Sequence, residues 1–369
     1  MINIPDLAHQ VLDVCASLKS GERVWINSWD HTVDLAAELA WECEKRNCPV
    51  VVTVQPEDLW LRSLIEAPLE VVDGLPSHQA ALLRETDVYI YTLGPRNPIP
   101  WDKIPEDRQK LATFWFFEKN RFVEQWKTIA RQRKVRMLGI EATLATPERA
   151  KALGLDFEEW NRVMFDGCMT DYRDIERRGK ALVPLLSGEG AVHITTPHGT
   201  DIRFRLDSRP VDSSYGLVTP ERVEKGNVVF LPSGGLEVTV DEESGTGTVV
   251  FDVPVRTGKG TIEQLTLELK GGRITHVSAE ANQKVFERYL NEGKGDVDRL
   301  GFFGFGLNPK LLYGFTQDDK VLGSVTIGFG DNEDKGGRNK ASDHWWACVS
   351  NATVTIDGTQ VLKNGSLLV

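Results

Sequence analysis

The chain has 369 residues, 41 % hydrophobic and 26 % charged, with a net charge of −11; that length allows two domains, each with its own core. The acid excess argues against a nucleic-acid or anionic-membrane partner, which would call for a positive field. No apolar run approaches the ~18 to 20 residues that span a bilayer, and the opening MINIPDLAHQ has neither the basic nor the apolar region of a signal peptide.

The segment Leu7 to Lys19 places Leu7, Val11, Val14, Cys15 and Leu18 on one helical face, and Ser20-Gly21 stop it. A strand follows over Glu22 to Asn27. Asp30 or Thr32 caps a helix running to about Asn47. The continuous apolar run Pro49 to Val54 is the kind of strand found inside a parallel sheet, and completes a βαβ unit. The alternation continues with a strand over Asp87 to Gly94, a helix over Phe122 to Gln132 and a strand over Val135 to Glu141. The first part is therefore expected to be an open α/β domain. The turn after its first strand, NSWDHT, has no G-x-G-x-x-G and no P-loop, so no dinucleotide site is expected. The basic group Lys127, Arg131, Arg133, Lys134 and Arg136 reads as a solvated helix face. Five scattered cysteines, Cys15, Cys43, Cys48, Cys168 and Cys348, lack C-x-x-C spacing and read as reduced thiols of a cytoplasmic protein.

One amphipathic helix is expected over residues 156–178, and beyond Ser187-Gly188 the composition turns to β. This sets the expected domains at 1–187, α/β, and 188–369, β-rich. In the second, a hairpin turns at Pro197-His198-Gly199-Thr200 and another at Gly271-Gly272, with a single helix in QKVFERYLNEG. Asp357-Gly358 and Asn364-Gly365 mark two more tight turns.

The candidate chemistry lies in this second part. Glu237 follows Gly234-Gly235, whose sharp turn could aim its carboxylate inward from a strand start. His344 lies in SDHWWACV beside Asp343, and an acidic loop of Asp331, Asn332, Glu333 and Asp334 follows the strand VTIGFG. Phe302, Phe303, Phe305, Trp345 and Trp346 offer aromatic walls of the sort that small-molecule pockets use. No Ser-His-Asp or Cys-His set is visible from spacing.

Several segments, in the same order along the chain, resemble the M29 family of metalloaminopeptidases, the aminopeptidase T and aminopeptidase S group. They are LKSGERVWI, TPHGTDIRFRL, FLPSGGLEVTV with SGTGTVVFD, LGFFGFGLNP, GSVTIGFG and GGRNKASDHWWACV. The resemblance implies an N-terminal open α/β domain, a β-rich α+β C-terminal domain, and a homodimer enclosing a two-metal site. Such a centre activates a water and polarises the scissile carbonyl. Carried over to this chain, the family's ligands are only partly present. Glu237 matches the first glutamate if a gap is allowed, and His344 matches the second histidine. Phe302 stands where the second glutamate would be, Thr326 where the first histidine would be, and Trp346 where the aspartate would be. Phenylalanine and tryptophan offer no lone pair, and a catalytic zinc typically takes three protein ligands.

Three readings follow. The first is an aminopeptidase-like hydrolase acting on a peptide or small amide. In it, Glu237 and His344 are both catalytic and metal-binding, joined by Asp331, Glu333 or Asp343 around one divalent zinc, manganese or iron. The second is a metal-free small-molecule or peptide site with Glu237 and His344 as polar anchors, against Phe302, Phe303, Thr326, Trp345 and Trp346. The third, ranked last because Thr326 and Trp346 remove a histidine and a carboxylate, resembles the mononuclear-iron ring-cleaving dioxygenases of dihydroxypyridines. No nucleic-acid or membrane partner is expected in any of them.

Overall fold

The computed structural model describes residues 3–112, 120–257 and 259–368. The chain forms two compact units, Met1–Met169 with Gly216–Pro232, and Thr170–Tyr215 with Ser233–Val369. This differs from the single cut expected between residues 187 and 188, for two local reasons. The expected helix over 156–178 is two helices, Phe157–Cys168 and Tyr172–Leu186. Asp171 starts the second, its carboxylate accepting from the N–H groups of Arg173 and Asp174. This second helix belongs to the second unit, whereas the strand at Val229–Leu231 returns to the first.

The first unit is built on β1 (Val24–Trp29), β2 (Val50–Gln55), β3 (Val88–Thr92) and β4 (Arg136–Ile140). In the second, β5 (Glu189–Thr195) and β6 (Asp201–Ser214) form the hairpin expected around Gly199. The strand β7 (Val229–Leu231) closes the first sheet, which is parallel throughout in the order β2-β1-β3-β4-β7. Every residue of β3 is buried, as a strand covered on both faces must be. Its Tyr89 ring packs with Trp25 and Trp126, the three ring centroids lying 4.8–5.3 Å apart. The apolar run Pro49 to Val54, expected inside the sheet, forms its edge strand: Val51, Val52 and Val54 are exposed. The cause is the crossover, since β3 pairs on the far side of β1. The first helix also departs from its expected face. After Ile4–His9 the chain widens into a π-helical turn over Gln10–Cys15, which buries Leu12 and leaves Val14 half-buried.

The second unit is a large antiparallel sheet. Its further strands are β8 (Gly235–Val240), β9 (Thr246–Phe251), β10 (Val255–Thr257), β11 (Gly260–Ile262), β12 (Leu265–Lys270) and β13 (Arg273–Ser278). The chain continues with β14 (Leu300–Gly306), β15 (Val325–Gly330), β16 (His344–Val349), β17 (Thr353–Ile356), β18 (Thr359–Lys363) and β19 (Ser366–Leu367). Among the described residues the main path is β16-β15-β14-β8-β6-β5-β17-β18-β19, with β9 pairing β6 and β12. The hairpins at Gly271-Gly272 and Asp357-Gly358 and the helix Gln283–Glu292 form as the turn pairs and periodicity indicate. The molecule is thus mixed α/β, one parallel sheet and one large antiparallel sheet.

Candidate functional site

Successive residues of a strand point to opposite faces of a sheet. Register across five strands therefore sorts the candidate residues. One row runs Asp212, Glu237, Gly304, Thr326, Cys348. The next runs Thr239, Phe302, Gly328, Trp346, and Gly330 lies opposite His344. Glu237, Phe302, Thr326, His344 and Trp346 consequently share one face. Phe303 and Trp345, expected beside them, do not. Phe303 is fully buried against Phe204 and Phe305 on the other face. Trp345 packs edge-on against Phe251 and Phe286 at 5.5 and 4.6 Å. Each is the odd-numbered neighbour of a site residue, and the pleat alone removes it.

Glu237 reaches this face from a short approach fixed by Gly234. There φ is +132°, and a Cβ would stand 2.9 Å from that of Asn308, whose amide donates to Ser233 O at 2.7 Å. Gly328 is small for a second reason: the Phe302 ring lies directly over it, where a Cβ would come within 2.2 Å of Cζ. The ring therefore lies flat on the sheet. Against its face sits Lys335 Nζ, 4.0 Å from the centroid and 2.8 Å from Glu237 Oε1. The His344 ring is edge-on to Phe302 at 6.4 Å and stacks on Trp346 at 5.3 Å, 19° from parallel. The outer part of Trp346 is open, with 44 % of the residue exposed.

Charge on this face is mutually tuned. Burial pushes the Lys335 ammonium down. The charge of Glu237 and its hydrogen bond, helped by Asp334 and Asp212, outweigh that and hold it above the ordinary lysine range. Burial and then the Lys335 charge push the His344 imidazole below its usual value, against the opposing pull of Asp343, Asp334 and Glu237. At neutral pH the ring is therefore uncharged and can accept a proton.

Lys335 and the residues that hold it were missed in the sequence, where its loop reads simply as acidic. The loop's base is clamped. Asn332, fully buried, donates from Nδ2 to Gly301 O at 2.9 Å and Glu242 Oε1 at 3.1 Å. Asn339 N donates to Asn332 Oδ1 at 2.8 Å, and its amide reaches Leu300 O and Gly330 O. Glu242 also accepts from Arg338 N at 2.7 Å and Arg209 Nη2 at 2.8 Å. Burial works against its charge, but Arg209, the Arg338 N–H and Asn332 prevail and hold it at about 2. The signal available was a lysine closing an acidic loop, bracketed by two asparagines straight after a buried strand.

The acids expected as extra metal ligands are not gathered here. Glu333 faces Lys340 at the surface, and Asp343 accepts from His344 N just ahead of the strand. Asp331 is tied through its N–H to Asp343 O. Among the described residues no group of three His, Cys, Asp or Glu side chains is placed to hold a metal ion. Thr326 Oγ1 lies 3.6 Å from Cys348 Sγ, and burial pushes that thiol far up.

The fold, one parallel-sheet unit and one large antiparallel-sheet unit, has counterparts among solved structures. The structure is similar to AmpT from Thermus thermophilus, an M29 aminopeptidase T, with a TM-score of 0.69 at 19 % identity over 100 % of this chain and 99 % of that one. It is also similar to the 2,5-dihydroxypyridine dioxygenase of Pseudomonas putida KT2440, with a TM-score of 0.64 at 16 % identity over 99 % and 96 %. These likenesses concern the fold. No curated protein sequence matches the chain. The family model NicX, 2,5-dihydroxypyridine 5,6-dioxygenase, matches residues 168–369, more than half of the sequence, and the chain belongs to that family. The order reached from sequence, hydrolase first and dioxygenase last, is corrected by these matches, which support the dioxygenase side at least as well. Both groups of relatives use metal ions, which makes a divalent metal plausible for the fold without naming it. The donors present here do not fit one: a carboxylate already paired to an ammonium and a single imidazole fall short of the three protein ligands usual for a catalytic metal. No helix among the described residues is long and apolar enough to cross a membrane.

Proposed function

We propose that this chain binds a small hydroxylated nitrogen heterocycle on the Glu237–His344–Trp346 face and moves protons there without a metal-centred oxidation. The ligand class comes from the name of the family; the geometry supplies the chemistry. The carrying observation is the sorting of five strands that puts one acid, one uncharged imidazole and one open indole on a single face. Trp346 gives a flat, half-open surface on which a heteroaromatic ring can stack. His344, held below its usual range, is the base, and Glu237 with Lys335 is the polar wall that orients ring hydroxyls. A homodimer, as the M29 resemblance implies, remains part of this reading.

A second reading, iron-dependent ring opening, is favoured by the family match alone. Titration of the purified protein with 2,5-dihydroxypyridine under air, with and without added Fe2+, separates the two. The expected result is saturable binding with quenching of tryptophan fluorescence and no oxygen uptake in either condition. Fe2+-dependent oxygen consumption with loss of the ring's absorbance would establish the second reading instead. No binding at all would remove both.

A further inference from the structure

One residue at a position where the M29 resemblance puts a donor, Phe302, and one donor that is kept, Glu237, both face a single atom, Lys335 Nζ. Phe302, which stands where the M29 resemblance puts a glutamate, presents its ring face to that ammonium at 4.0 Å. Glu237, which stands for the other glutamate, pairs with it at 2.8 Å. Asp334 and Asp212 add negative potential around it, and the lysine side chain is only 21 % exposed. A ring face and a carboxylate together make a cradle for a cation. The loop is not free to carry the lysine away, because Asn332, Asn339 and Arg338 bind its base to Glu242 and to β14. An ammonium has three donors; Glu237 takes one, and the Phe302 face covers another direction.

We infer that Lys335 is the site's built-in cation: its ammonium takes the electrostatic place of a metal ion beside Glu237, keeps divalent ions out, and offers its remaining donor to an anionic oxygen of the ligand. This rests on the metal-free reading above and gives it a specificity-determining residue. A divalent ion approaching Glu237 must either displace the ammonium or share the carboxylate with it, and two like charges within a few ångströms on a partly buried face repel strongly. The ligand class follows from the same charge. A ring bearing a deprotonated hydroxyl or a carboxylate should bind, and unsubstituted pyridine, with no anionic oxygen, should not.

The test is the metal content and Zn2+ affinity of the whole chain. Native protein purified without chelator should carry well under one ion per chain by elemental analysis, and calorimetric titration with Zn2+ should give only weak binding. Lys335→Met, which keeps the length and removes the charge, should bind Zn2+ at least about tenfold more tightly than native protein. Adding Glu237→Gln to that variant should cancel the gain, and Lys335→Arg should stay metal-free. Stoichiometric metal in the native protein overturns the inference, and so does a folded Lys335→Met variant with unchanged Zn2+ affinity. If Lys335→Met fails to fold, the native ion content and native Zn2+ titration decide alone. Failure of 2,5-dihydroxypyridine to bind native protein is a separate result, which removes the proposed ligand and leaves the ion measurements to decide the role of Lys335.

Discussion

The Lys335 ammonium acts on the His344 imidazole, and the sign of that coupling gives a direct prediction. Burial and the neighbouring ammonium both favour the uncharged imidazole, while Asp343, Asp334 and Glu237 favour the charged one. The former prevail, so an NMR titration of the His344 ring should place its midpoint below the ordinary value of 6.5. Lys335→Met should move that midpoint upward, because one of the two depressing causes is gone. A midpoint above 6.5 in the native protein would contradict the assignment of His344 as a base ready at neutral pH. The stability sign follows as well. A histidine whose folded value is depressed loses stability as pH falls from above its unfolded value toward the folded one, so this site weakens on acidification. At this scale the sequence was half legible. Glu237 and His344 were readable as candidate polar residues, and the register places both on one face. Phe303 and Trp345 were not separable from Phe302 and Trp346, because adjacent aromatics look alike until the pleat assigns each to a face.

At the scale of elements, the loop over residues 331–339 matters most, since it delivers Lys335. Its anchor is the buried ion pair of Glu242 with Arg209, extended to Arg338 and Asn332. Breaking such a pair leaves one charge buried and unmatched, so Glu242→Gln should cost about 3 kcal/mol of unfolding free energy. The same change should release the loop and lower affinity for 2,5-dihydroxypyridine. Because the folded carboxyl is held at about 2 and the ordinary value is 4.5, its contribution is complete above the latter. It is lost as pH falls from 4.5 toward 2. Denaturant midpoints against pH should therefore slope in native protein over that range and slope less in Glu242→Gln; parallel curves would count against the anchor. The sequence could not show this network. Glu242 and Arg209 lie 33 residues apart, and Glu242 and Asn332 lie 90 apart; only the assembled sheet brings them together. Local signals did better: Gly199, Gly271-Gly272 and Asp357-Gly358 turn where their backbone preferences demand. The exposed valines of β2 show the limit of such signals, since an apolar run does not say whether a strand is central or an edge.

For the whole molecule, family membership and site chemistry point in different directions. The second half of the chain carries the family's signature and both sheets carry its fold. Three of the donor positions implied by the M29 resemblance hold Phe302, Thr326 and Trp346 instead. Fold is set by many distributed contacts, a metal centre by a few side chains, so the second can be lost while the first persists. The most direct measurement of this account is a crystal structure of the native protein soaked in Zn2+, with anomalous data collected at the zinc edge. The account predicts Lys335 Nζ against Glu237 and the Phe302 ring, with no anomalous peak beside them. An anomalous peak between Glu237 and His344, with Lys335 turned away, would contradict it.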